Sequence, residues 1–167
     1  MESDESDDVK RLLVLGPGGS GKSTFAVSLG RATGVPVIEL DARFWSADLE
    51  AMPRDDWANA QEELAQHDAW IMDGDLGPYD VLHVRLRAAA SVVILDLPAI
   101  VCVWRSVRRS SARLDYWRWV FMWRRRYRPL IMQAIDEQVD RPEVWVVRSA
   151  RQANEVLEEL VHRWNAT

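Results

Sequence analysis

The sequence is poor in the residue types that build metal clusters and cross-links. A single cysteine, Cys102, in 167 residues excludes an internal disulfide framework and any cysteine-cluster metal site. It lies among apolar residues of a predicted helix, where an inert buried thiol is expected. His67, His83 and His162 are scattered without ligand spacing, which leaves them to surface or packing roles. No apolar run approaches the ~20 residues needed to span a bilayer. The opening Met-Glu-Ser-Asp-Glu-Ser-Asp-Asp is the opposite of a basic, then apolar, signal segment. A cytoplasmic chain with no membrane partner is the expectation. Lysine occurs only at Lys10 and Lys22, so almost all positive charge is arginine.

What remains is ordinary globular material, 48% hydrophobic and 28% charged. The length predicts one domain that buries roughly 70% of its unfolded surface. The net charge of −5 hides an asymmetry: residues 1–8 carry five acids and no base, and the rest of the chain is neutral. Within that neutral part, residues 104–128 hold nine arginines against one acid, Asp115. The expected organisation is a disordered acidic tail over 1–8 and a single domain over 9–167.

From Val9 onward, short apolar runs alternate with longer helical patterns. Residues 12–15, 35–40, 69–72, 92–95 and 144–147 read as buried strands, apolar on both faces as parallel strands under helices should be. A helix over 22–33 stops at Gly34. Another, about 53–67, opens with Pro53 followed by Asp55 and Asp56, where the helix dipole favours acids. A third begins at Pro98. A long helix over 114–139 has an apolar stripe of Tyr116, Val120, Trp123, Tyr127, Ile131 and Ala134, and Pro129 should kink it. Ser149 and Gln152 form a capping box for a last amphipathic helix. Strand–helix alternation predicts an α/β fold with a parallel sheet.

Residues 16–24 read Gly-Pro-Gly-Gly-Ser-Gly-Lys-Ser-Thr and satisfy G-x-x-x-x-G-K-[ST] between a strand and a helix. Glycines let the backbone close around phosphate oxygens, and the helix that follows adds its positive end. Gly16, Gly18, Gly19, Ser20, Gly21 and Thr24 are therefore candidate nucleotide contacts. Lys22 is expected to reach the β- and γ-phosphates, and the Ser23 hydroxyl to bind Mg²⁺. Asp41, Asp73 and Asp96 stand at or just past the ends of predicted strands, the edge where ligands of open α/β sheets bind. Phosphoryl transfer needs a carboxylate near the metal and often one for the attacking hydroxyl.

With these residues in place, the sequence resembles the adenylate-kinase-like P-loop proteins of the "topology modulation protein" group over about residues 11–160. The resemblance rests on the loop 16–24, Pro36-Val-Ile-Glu-Leu-Asp41 with Phe44-Trp45 behind it, and Trp70-Ile-Met-Asp-Gly74. It continues through Ile94-Leu-Asp-Leu-Pro98 with Trp104-Arg105 and Arg109, the run from Trp123 to Pro129, and Val146-Val-Arg-Ser149. It implies a three-layer P-loop NTPase sandwich, with helices on both faces of a five-stranded parallel sheet in the order 2-3-1-4-5. It further implies ATP and Mg²⁺, with transfer of the γ-phosphoryl group to a small-molecule acceptor. By the same resemblance Asp73 supports Mg²⁺, Asp41 takes the acceptor hydroxyl, Arg105 and Arg109 contact adenine and phosphates, and Asp96 is structural. Arg148 to Arg151 would lie near the base.

Two departures from the group stand out. Only five residues, 110–114, follow Arg109 where the group inserts a lid, so Arg113, Arg118, Arg124 or Arg125 would substitute for lid arginines. The arginine that usually follows the Asp-Gly pair is replaced by Asp75-Leu-Gly-Pro-Tyr79, which weakens the case for a nucleotide acceptor. Asp41, Arg43, Trp45, Asp75 and Arg85 are the candidate acceptor contacts, with Arg85 or Arg87 as the stand-in for the missing arginine.

The arginine–tryptophan segment 104–128 admits three readings: phosphoryl-charge stabilisation, plain packing, or nucleic-acid binding through basic and aromatic groups. The acidic chain as a whole disfavours the last. The leading expectation is a kinase-like phosphotransferase, monomeric or homodimeric. The alternative is a nucleotide-binding regulatory ATPase with weak catalysis, acting on a protein or nucleic-acid partner.

Overall fold

The computed structural model describes residues 9–45, 50–107 and 114–166. The acidic segment 1–8 and Arg109 lie outside the described residues. Five strands form one parallel sheet: β1 (Arg11–Leu15), β2 (Val37–Glu39), β3 (Trp70–Asp73), β4 (Ser91–Leu95) and β5 (Glu143–Val147). Their order is β2-β3-β1-β4-β5, as the resemblance implies. Registers such as Val14 beside Asp73 and Leu15 beside Ile94 bring the carboxyl ends of β3, β1 and β4 to one edge.

Alternate residues of each strand feed opposite faces. Leu13, Leu15, Trp70, Met72, Val92 and Ile94 pack on one side, under Trp57 of α3 (Arg54–Ala65), Val84 of α4 (Leu82–Leu86) and Ile131 and Ile135 of α7 (Arg128–Asp136). Leu12, Val14, Ile71, Val93 and Leu95 pack on the other. They meet Phe25 and Leu29 of α1 (Lys22–Thr33), Cys102 of α5 (Ala99–Val107), and Leu160 and Trp164 of α8 (Ala150–Asn165). Each fully buried large apolar side chain contributes roughly 1.5–3 kcal/mol; Trp57, Trp70 and Trp123 are the largest of these. Cys102 is among the buried residues, and burial pushes its thiol up from its ordinary value, consistent with an inert group.

Three local features refine the sequence reading. β2 ends at Glu39, so Asp41 does not sit at a strand end. It is the second residue of a short helix, α2 (Leu40–Phe44). The long helix is interrupted before Pro129, not at it: α6 (Leu114–Met122) passes into a π-turn, Trp123–Tyr127, and then α7. Pro129 has no N–H for the Arg125 carbonyl and crowds it. The preceding turn widens, and the Arg128 N–H donates to the Trp123 carbonyl five residues back. At the start of α8, Ser149 Oγ accepts from the Gln152 N–H at 3.2 Å, as the capping box requires. The Gln152 side chain accepts from the Arg148 N–H at 2.8 Å, one residue earlier than the usual pattern.

Candidate active site

The loop between β1 and α1 closes tightly because its glycines permit it. Gly16 has φ +144°, and a β-carbon there would lie 2.7 Å from the Leu95 carbonyl oxygen at the end of β4. Any side chain would push the loop off the sheet. The Ser20 N–H donates to the Pro17 carbonyl at 3.2 Å. Lys22 Nζ donates to the same carbonyl at 3.1 Å, so the lysine lies across the loop. Gly21 caps α1 without a side-chain bond, which leaves first-turn N–H groups for a ligand. Ser20 Oγ is buried without a hydrogen-bond partner, a polar atom that an anion's oxygen would satisfy.

A cavity of about 420 Å³ opens beside this loop. Gly19, Ser20, Gly21 and Thr24 form its loop side, and Trp104, Arg105 and Asn154 are among the residues opposite. A β-carbon built at Gly21 would lie 3.7 Å from Arg105 Nη1, which places this guanidinium over the loop. The Trp104 ring stands 59% exposed at this site, an apolar plate beside a polar loop. Sequence reasoning named Arg105 but missed Asn154 and Ser28, which also line the cavity. Neither belongs to a motif: Ser28 lies one helical turn after Thr24 on α1, and only the packing of α8 against α1 brings Asn154 to it.

The carboxylates gather on the other side of Lys22. Asp73 is 5% exposed at the end of β3, and its Oδ1 is buried with no hydrogen-bond partner. Desolvation raises its carboxyl above the ordinary aspartate value. A hydrogen bond from the Ser23 hydroxyl and the charge of Lys22 oppose the rise, and Glu39 adds to it. Asp41 keeps solvent contact on α2, yet the surrounding protein removes enough water to raise its carboxyl too. Lys22 opposes that shift, and Asp73, Asp75 and Asp80 add to it. The unpartnered Asp73 oxygen, with the Ser23 hydroxyl on the same carboxylate and Asp41 nearby, is a donor set suited to a hydrated divalent cation.

Two of the expected acceptor contacts do not open on this site. Arg85 is fully buried: Nη1 donates to Asp80 Oδ1 at 2.5 Å and Gln61 Oε1 at 2.8 Å, and Nη2 donates to Asp80 Oδ2 at 2.7 Å and the Gly74 carbonyl at 3.0 Å. Its Nε has no hydrogen-bond partner, but the side chain is 0% exposed, so the guanidinium is a structural brace that offers a ligand no accessible face. Asp75 is buried with both oxygens occupied, by the Trp123 indole N–H at 2.6 Å and the Gly77 N–H at 3.0 Å. Burial pushes its carboxyl up, against the pull of Trp123. Arg43 is exposed on α2. The half-buried Trp45 meets Phe44 edge-on at 4.8 Å and Tyr79 at 5.7 Å, one side of an aromatic wall next to Asp41.

Two arginines of the basic segment are bound into the fold. Arg124 Nε donates to Asp96 Oδ1 at 2.7 Å, and Arg128 Nε pairs with Asp96 Oδ2 at 3.2 Å. Asp96 is thus a structural anchor, and Arg124 is engaged on it. Arg118, Arg125 and Arg126 are exposed. Among the described residues no group of three or more histidine, cysteine or acidic side chains forms a metal cage. Among the described residues no helix is long and apolar enough to cross a membrane.

No family model and no curated protein matches this sequence. Solved structures do match. Shikimate kinase from Acinetobacter baumannii, in complex with shikimate, aligns with a TM-score of 0.68 at 14% identity, over 96% of this chain and 95% of that one. A gluconokinase from Sinorhizobium meliloti aligns at 0.57 and 18% identity, over 95% and 93% of the two chains. An unliganded sugar kinase from a Janibacter species aligns at 0.55 and 21% identity, over 93% and 91%. The chain therefore has the fold of the P-loop kinases. The glycine-rich loop, on the central strand of this fold, is flanked by a carboxylate at the end of each neighbouring strand, Asp73 closing β3 and Asp96 just after β4.

Proposed function

We propose that the protein is a Mg²⁺-ATP-dependent phosphotransferase that moves the γ-phosphoryl group to a hydroxyl of a small-molecule acceptor. The observation that carries this is the unpartnered, buried oxygen of Asp73 beside the Ser23 hydroxyl, with Lys22 lying across a glycine loop. In this reading residues 9–167 act as a single nucleotide-binding domain of the kind the sequence resemblance implies. The names of the structural neighbours, shikimate kinase, gluconokinase and sugar kinase, support a small hydroxyl compound as acceptor.

Loop N–H groups and Lys22 hold the phosphates, and Lys22 exchanges the Pro17 carbonyl for a phosphate oxygen. Ser23 and Asp73 are the residues that would hold Mg²⁺, which would supply neutralisation of the β- and γ-oxygens. The base occupies the cavity between Trp104 and Asn154, with Arg105 toward the phosphates. Asp41 accepts the acceptor's hydroxyl proton as that oxygen bonds to phosphorus and the bond to ADP breaks. Trp45 and Arg43 border the acceptor.

The test is ATP binding and ADP release by the wild type and two variants. Lys22→Ala is expected to weaken ATP binding at least tenfold, about 1.4 kcal/mol or more. Asp41→Asn is expected to leave ATP binding within twofold and to abolish acceptor-stimulated ADP release. Unchanged ATP affinity in Lys22→Ala refutes the phosphate-loop assignment, and retained transfer in Asp41→Asn removes the proton-accepting role.

A further inference from the structure

Trp123 and Arg124 are adjacent in the chain and grip two different strand ends. The Trp123 indole N–H reaches Asp75, two residues past β3. Arg124 reaches the side chain and carbonyl of Asp96, one residue past β4, at 2.7 and 3.0 Å. β3 and β4 lie on either side of β1, whose end runs into the phosphate loop. The π-turn therefore clasps both strand ends that flank the loop. π-turns inside helices recur at functional sites, and this one sits where the clasp is made.

The β3 half of the clasp bears on the reacting groups. Asp73 and Asp75 are separated only by Gly74, which has φ +153°. The Gly74 carbonyl accepts from Arg85 at 3.0 Å, and its N–H donates to the Val14 carbonyl at 3.3 Å. The next residue, Asp75, is fixed through both carboxylate oxygens. Gly74 and Asp75 thus hold the chain directly after Asp73, whose Oδ1 is buried and unpartnered. Groups that orient a ligating side chain commonly change metal affinity when altered.

We propose that Trp123 is a positioning residue for Asp73: by donating its indole N–H to Asp75 it fixes the Asp73-Gly74-Asp75 turn and aims the Asp73 carboxylate at the metal–nucleotide. This rests on the phosphotransferase reading. Trp123 does not touch substrate, and it acts through Asp75. Its ring belongs to the apolar core, so Trp123→Phe keeps much of the packing and deletes the N–H.

The test reads the Mg²⁺ dependence of ATP binding, by titrating a fluorescent ATP analogue at a series of Mg²⁺ concentrations. Trp123→Phe is expected to raise the Mg²⁺ concentration at half-effect about tenfold, with metal-free nucleotide affinity within twofold. Asp75→Leu removes both acceptor oxygens, the partner of the Trp123 N–H included, and is expected to shift the same midpoint in the same direction. Trp57→Phe makes the same change at a buried indole whose N–H has no hydrogen-bond partner, and should leave the Mg²⁺ midpoint in place. An unshifted Mg²⁺ midpoint in both site variants, with only a lower thermal midpoint, overturns the proposal. If Trp123→Phe does not fold, Asp75→Leu decides alone. Wild-type ATP binding that ignores Mg²⁺ takes down the phosphotransferase reading itself, and the role of Trp123 with it.

Discussion

Arg85→Met is the substitution that most sharply separates a brace from a ligand. Its guanidinium is wholly buried and its partner Asp80 is 7% exposed, so the variant strands a carboxylate in the interior. Breaking one side of a buried pair in this way costs about 3–5 kcal/mol. Gln61 and the Gly74 carbonyl lose their donor at the same time. Against a total stability of about 5–15 kcal/mol, a loss of that size lowers the thermal midpoint by roughly 6–20 °C for a chain of this length.

Arg85→Met/Asp80→Leu removes both charges. It should recover part of the loss, with a coupling of about 1–3 kcal/mol in the double-mutant cycle. The reason is that the pair's desolvation cost nearly cancels its attraction, whereas a lone buried charge has only the cost. Urea and thermal unfolding of the four proteins measure this, with ATP affinity as a check on the site. A single variant within about 1 kcal/mol of wild type refutes the brace, since exposed pairs have that worth. A raised acceptor KM with unchanged stability restores Arg85 as an acceptor ligand.

Asp41→Asn should also change stability, with a sign set by desolvation and by the neighbouring carboxylates. The folded state raises the Asp41 carboxyl above its unfolded value of 3.8, so it binds protons more readily than the unfolded chain does. The wild type therefore loses stability as pH rises from 3.8 through the raised value, and the ionised group is a cost above it. Asp41→Asn should be more stable than wild type in urea at pH 7, and the gain should shrink as pH falls toward 3.8. A gain that grows on acidification contradicts the shift. Ser149→Ala removes the cap of α8 and should cost about 1 kcal/mol, seen as a fall of roughly 2–4 °C in thermal midpoint; an unchanged midpoint would show that the Ser149 bond to Gln152 adds nothing.

The sequence by itself determined the α/β class, the five strands and the glycine-rich loop after β1, because each is written in local pattern. Two-residue alternation sorts Leu12 and Val14 from Leu13 and Leu15. Gly34 ends α1 at φ +76°, and the loop's glycines and Lys22 lie within a few positions of one another. What only the tertiary structure decided is which ionisable side chains face the site. Arg85 and Asp75 looked like acceptor contacts because a chain position says nothing of burial.

Their partners are distant: Gln61 lies 24 residues from Arg85, and Trp123 lies 48 residues from Asp75. Arg124 looked available for phosphoryl charge until Asp96, 28 residues away, took it. The cavity residue Asn154 belongs to no motif, and it reaches the loop only because α8 packs on α1. A charged group's role depends on whether water or a distant partner satisfies it, and long-range packing, which local spacing does not encode, decides between them.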